Sequence, residues 1–173
     1  MAYHYMVSRI DSSLKIKNRY IQIMLSDISQ VTDYLYVGSR IGKEQVDELK
    51  ALHFDLIISM IGQMPPDEVY TRPPFKTLWI KTYDSFLTLI SIKKLLLGVE
   101  AARPIIQNNG KVLVYCMLGK HRSIAMGAAI LISMGHTSDE AISLLRAARK
   151  IADPRMWYIR SQIRAFERYW QKR

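Results

Sequence analysis

The chain has 173 residues, 49% hydrophobic and 23% charged, with a single cysteine. This mix fits one globular domain and excludes a disulfide scaffold or a disordered chain. Lys and Arg number 25 against 15 Asp and Glu, a formal net charge of +10, which favours acidic partners without choosing among phosphoproteins, phospholipids, nucleic acid and phosphate esters.

Residues 1–27 read as an N-terminal extension that packs on, or precedes, the domain; Lys15, Lys17 and Arg19 alternate with apolar residues there, and neither helix nor strand is favoured. The residues carry no secretory h-region, so a reducing, cytoplasmic setting is expected. Tyr34-Leu35-Tyr36-Val37 is a β-favouring run closed by Gly38. Residues 44–52 have helical spacing, and residues 56–60 form a continuous apolar run suited to a buried strand. Pro65-Pro66 and Pro73-Pro74 exclude helix from the segment between Gly62 and Pro74 and predict an exposed loop. Residues 77–80 resume the sheet.

Leu89, Ile92, Leu96, Val99, Ala102 and Ile106 step by three or four, the stripe of a long amphipathic helix ended by Asn108-Asn109-Gly110. Residues 112–115 are apolar throughout, as a central parallel strand is, and residues 123–134 are apolar nearly all round, as a buried helix is. That run is too short to cross a bilayer. Thr137 and Glu140 make a capping box for a helix to about Lys150, and Asp153-Pro154 supplies an N-cap and N1 proline for the last one. Strands alternating with helices predict an α/β domain with a central, mostly parallel, twisted sheet flanked by helices. On the last helix Arg160, Arg164, Arg168 and Lys172 form an i,i+4 basic row, either a solvated face or a site for an acidic partner; Ile159, Ile163, Phe166 and Trp170 face the core.

The chemistry concentrates between the central strand and the buried helix, in Cys116-Met117-Leu118-Gly119-Lys120-His121-Arg122-Ser123. A five-residue loop closing onto a helix N-terminus turns backbone N–H groups inward as a nest for an oxyanion. Gly119 permits a positive φ in that turn. Arg122 can grip two phosphate oxygens at once, and the positive field favours a nucleophilic thiolate at Cys116. Ser123 can donate to the sulfur when it later leaves. Met117, Leu118, Gly119, Lys120, His121 and Arg122 are therefore the substrate-binding candidates. Lys120 and His121 either meet extra negative charge on the substrate or are solvated rim residues. His4, His53, His121 and His136 are scattered without ligand spacing, so no metal and no cofactor is expected.

This octapeptide resembles the C-x-x-G-x-x-R-S/T signature of the cysteine-dependent protein tyrosine phosphatases, and among them the small dual-specificity phosphatases. The resemblance covers roughly residues 28–170: residues 28–38 are similar to that family's opening strand, and Glu140-Ala141-Ile142, Arg149 and Pro154 to its C-terminal helices. It implies a catalytic domain over residues 28–173 that hydrolyses phosphotyrosine and phosphoserine or phosphothreonine in proteins through a phosphocysteine. It also implies a general acid on an upstream loop. Asp84, 32 residues before the cysteine in Lys81-Thr82-Tyr83-Asp84-Ser85, stands where that acid belongs, although Asp84 or Ser85 could equally cap the following helix. Asp55 and Asp67 are poorer placed. Two positions depart from the pattern: Tyr115 stands where the family usually has histidine, and Leu118 is bulkier than usual. The partners implied are phosphorylated proteins, with nucleic acid disfavoured and a monomer favoured. Phosphoinositide or RNA 5′-phosphate hydrolysis, and a non-catalytic phosphopeptide-binding module, are the alternatives.

Overall fold

The computed structural model describes residues 27–173; the reading of residues 1–27 as an extension lies, but for Asp27, outside them. Five strands form one sheet in the order β1-β2-β5-β3-β4. They are β1 (Ile28–Gln30), β2 (Leu35–Gly38), β3 (Leu56–Ser59), β4 (Thr77–Trp79) and β5 (Val112–Tyr115). Only β1 runs antiparallel, pairing with β2 from Ile28 opposite Gly38 to Gln30 opposite Tyr36. The expected opening strand is thus a hairpin: Thr32 Oγ1 accepts the Leu35 amide at 3.0 Å and turns the chain. β5 lies between β2 and β3, and Val112 faces Leu35 on one side and Leu56 on the other. Its four residues are fully buried, as expected for a central parallel strand.

The five α-helices are α1 (Val46–Leu52), α2 (Ile92–Gln107), α3 (Arg122–Ser133), α4 (Ser138–Ala148) and α5 (Trp157–Trp170). Period-2 alternation splits the sheet's side chains between two cores. Val37, Ile58, Val114 and Cys116 join α2 through α5 in the larger one. Tyr36, Ile57, Leu113 and Tyr115 face the other way, against Leu49 of α1, Phe54, Tyr70 and Phe75. All twelve residues of α3 are buried, so it forms the centre of the helical layer. At Gly98 of α2 a Cβ would lie 2.4 Å from Met126 Sδ, so the end of the Met126 side chain of α3 fills the space the glycine leaves.

Three boundaries differ from the sequence reading. The proline-flanked loop contains a 3₁₀ turn, Glu68–Thr71, and is not simply exposed: Tyr70 is fully buried, its hydroxyl donating to Gly42 O at 2.7 Å. One short turn between the two proline pairs needs no proline-free run of α-helical length. α2 begins at Ile92, where Ser91 Oγ accepts the Lys94 amide, and Leu89 is left half exposed. Asp153-Pro154 does not cap α5, which starts three residues later with Met156 at the N-cap. The Asp153 amide instead donates to Lys120 O at 3.0 Å, and Asp153 O accepts the Met156 amide, so the Asp-Pro turn braces the loop after β5. The Thr137–Glu140 capping box of α4 forms as expected. No helix among the described residues is long and apolar enough to cross a membrane.

Candidate active site

Residues 117–121 link β5 to α3, and the protein holds this loop by its carbonyls. Met117 O accepts from the Arg40 amide (3.3 Å), Lys120 O from the Asp153 amide (3.0 Å) and His121 O from the Ala125 amide (2.8 Å). Gly119 O and Leu118 O accept from Arg149 Nε (2.8 Å) and Nη2 (3.4 Å). In a planar trans peptide the N–H of the next residue points opposite to the carbonyl. Five carbonyls drawn out into the protein therefore turn the amides of residues 118–122 the other way, toward the inside of the loop. Of these, none of the amides of residues 118–121 meets a protein acceptor among the described residues. The arrangement is an anion nest.

Arg149 makes that geometry possible. It is 3% exposed and also donates from Nη1 to Asp27 O (2.9 Å) and Ser29 Oγ (3.3 Å), so one guanidinium pins the loop to β1. Burial pulls its pKa below the usual arginine value, a shift that leaves a group this basic charged. Gly119 has φ +63°, and a Cβ there would stand 2.4 Å from Arg149 Nη2 and 2.7 Å from the Gly38 carbonyl carbon. Both the left-handed backbone and the close approach require glycine.

Cys116 directly follows β5, 1% exposed, with its Sγ 3.3 Å from Ser123 Oγ in the first turn of α3. Arg122 is equally buried. One terminal nitrogen, Nη1, donates to Met60 O (3.1 Å) and Thr82 O (2.9 Å), the backbone just beyond β3 and β4. Its Nε is buried without a hydrogen-bond partner, in only a long ion-pair contact of 3.9 Å with Asp84 Oδ2. A donor left unpaired in a dry site is costly unless something is to fill it.

Asp84 lies on the loop between β4 and α2 and does not cap α2; Ser91 does. The Tyr158 hydroxyl of α5 donates to Oδ1 (2.9 Å), and His121 Nδ1 lies 3.1–3.2 Å from the two carboxylate oxygens. The His121 and Tyr158 rings meet edge to face with centroids 5.9 Å apart. His121 is thus no solvated rim residue; its side chain is 14% exposed. Burial, with the neighbouring Asp84 second, pushes Tyr158 up to about 12, so it stays a hydrogen-bond donor through the neutral range. Leu118 is the exposed member of the loop, and Lys120 is half-buried. Tyr115 packs in the opposite core from Cys116, and burial raises its pKa. Asp55 holds the Lys111 amide (2.8 Å) and Asp67 pairs with Arg40 (4.0 Å), both away from this cluster.

An anion nest, a buried thiol, a half-satisfied arginine and a tethered carboxylate meet here, and residues 35–169 match the family model described as the dual specificity phosphatase catalytic domain. The chain belongs to the dual specificity phosphatases. As such it is a cysteine-dependent phosphatase. It is 25% identical over 133 residues to mouse dual specificity phosphatase 28, covering 75% of this chain and 78% of the relative. It is 26% identical over 149 residues to the protein-tyrosine-phosphatase MKP1 of Arabidopsis thaliana. That match covers 85% of this chain but spans only 18% of the plant protein. A mouse putative dual specificity phosphatase, solved as a complex with zinc tungstate, shares the fold with a TM-score of 0.75 at 23% identity, over 84% of this chain and 89% of that one.

Sequence reasoning missed Tyr158 and Gln162. The Gln162 Oε1 accepts the Ile90 amide at 2.9 Å and ties the far end of the Asp84 loop to α5. A tyrosine and a glutamine one turn apart on a helix carry no local motif. The carbonyls of Met60 and Thr82 that orient Arg122 carry no sequence signal at all.

Proposed function

We propose that this dual specificity phosphatase hydrolyses phosphotyrosine and phosphoserine or phosphothreonine in proteins, with Cys116 as nucleophile and Asp84 as general acid. The observation that carries the reading is the loop whose carbonyls are all drawn outward, beside the Arg122 Nε that has no hydrogen-bond partner. Those inward donors match three equatorial oxygens, which carry the charge as phosphorus changes partners. Cys116 Sγ attacks phosphorus and the P–O bond to the substrate breaks, with Asp84 giving its proton to the departing oxygen. A water then gives a proton to Asp84 and attacks the phosphocysteine. Phosphate is released as Ser123 Oγ–H stabilises the leaving thiolate from 3.3 Å.

Positive charge for every step comes from Arg122 and the loop amides, so the reaction calls for no metal. A nucleophile used as a free thiol suits a reducing compartment such as the cytoplasm. The test is p-nitrophenyl phosphate in EDTA. Sustained release, abolished in Cys116→Ser while vanadate or tungstate binding persists, is the expected result. Binding without turnover by the unaltered protein would make it a phosphopeptide module. Even a few per cent of activity in Cys116→Ser would end the covalent mechanism.

A further inference from the structure

Along α5, from the residue preceding Tyr158 onward, runs a shallow groove of about 340 Å³ lined by Arg155, Trp157, Arg160, Ser161, Arg164 and Arg168. No carboxylate lines it. Trp157 is 66% exposed and its ring meets that of its chain neighbour Tyr158, the residue bonded to Asp84, with centroids 5.8 Å apart. Arg164 reaches the exposed Asp139 at 3.5 Å; Arg155, Arg160 and Arg168 have no ion-pair partner among the described residues. Repeating one sign of charge at i,i+4 destabilises a helix when nothing opposes it. Here four guanidiniums share one concavity, and three of them have no negative charge among the described residues to meet.

We propose that this groove docks an acidic segment of the phosphoprotein substrate, so that the enzyme selects phosphorylated residues with Asp or Glu at alternate positions roughly two to six places away. The inference rests on the phosphoprotein reading above and adds the sequence preference. The spacing carries it. At a rise of 1.5 Å per residue, Arg160, Arg164 and Arg168 follow one another at intervals of about 6 Å and end about 15 Å along the axis from Tyr158. An extended peptide presents alternate side chains about 6.6 Å apart, so every second residue meets a guanidinium fork. A single phosphorylated headgroup is too compact to engage a row of that length. Single-stranded nucleic acid would ask for a stacking ring at each base, and this groove has one, Trp157.

The experiment compares kcat/KM for paired phosphotyrosine peptides that carry Glu or Gln at the second, fourth and sixth positions, placed in one series before and in another after the phosphoresidue. In one series the Glu peptide is expected to be better by about 10-fold at low salt, shrinking as salt screens exposed pairs. Arg160→Gln, Arg164→Gln and Arg168→Gln combined should erase that preference while p-nitrophenyl phosphate hydrolysis stays unchanged, which also certifies the fold. Arg164→Glu should reverse it. Equal rates on Glu and Gln peptides in both series would overturn the proposal, as would a preference that survives the triple substitution. So would a triple variant impaired only on phosphoinositide vesicles or on 5′-phosphorylated RNA. If p-nitrophenyl phosphate itself is not hydrolysed, the phosphatase reading has failed rather than the docking groove.

Discussion

A hydroxyl donating to Asp84 Oδ1 and an imidazole beside both its oxygens leave the carboxyl little freedom, and orientation is most of what a general acid needs. Asp84→Asn is expected to lower kcat on a phosphoserine peptide by about 10²–10⁴. The loss should be much smaller for aryl phosphates, whose leaving groups depart without a proton. Tyr158→Phe keeps the ring and removes the tether, so kcat on phosphoserine should fall several-fold with KM nearly constant. The same tyrosine has a signature in alkali. Folding holds it protonated to about 12, against an ordinary value of 10.0, so between those values the unfolded chain has lost a proton that the folded one keeps. Stability therefore declines as pH rises from 10 toward 12. Urea titrations across that window should show a shallower decline in Tyr158→Phe, the remainder coming from Tyr34, Tyr70 and Tyr115, whose pKa values burial also raises.

Element by element, α5 holds the acid loop at two points one helical turn apart, Tyr158 at Asp84 and Gln162 at Ile90. Gln162→Ala leaves the Ile90 amide unpaired in a buried position and should cost about 1–3 kcal/mol in thermal or urea unfolding. It should also lower kcat selectively on alkyl phosphates, because the loop's far end is released. Equal losses on alkyl and aryl substrates would assign Gln162 to stability alone. Periodicity made the sheet, the buried α3 and the Thr137 cap legible, because each rests on contacts within one element. It placed Cys116, Arg122 and Ser123 on a strand–loop–helix for the same reason. What stayed hidden depends on partners far along the chain. Asp153-Pro154 looks like a helix cap until Lys120 O takes its amide, and β1 has three residues with meaning only against β2. Asp84 was legible as an acid or a cap; the fold gives the cap to Ser91, and the acid role is what Asp84→Asn tests.

For the molecule as a whole, the +10 charge is distributed unevenly in its use. Arg149 and Arg122 are buried and committed, whereas the α5 row faces solvent. Gly119→Ala, which would press a methyl group against Arg149 and the Gly38 backbone, should cost about 1–2 kcal/mol from backbone strain alone. It should abolish turnover by spoiling the nest, with circular dichroism unchanged. The solitary Cys116 has a consequence of another kind. Peroxide converts a thiolate to a sulfenic acid, which a neighbouring thiol can trap as a disulfide before worse happens. In these 173 residues there is no second thiol. Inactivation by peroxide should accordingly be rescued by dithiothreitol at first and then progressively lost as the sulfur passes to the sulfinic acid. Mass spectrometry should find added oxygen at Cys116 and no internal disulfide. Within these residues only a backbone sulfenamide could shelter the sulfur, so recovery from an oxidative burst otherwise depends on how quickly the surrounding thiol pool reaches a sulfur that is 1% exposed.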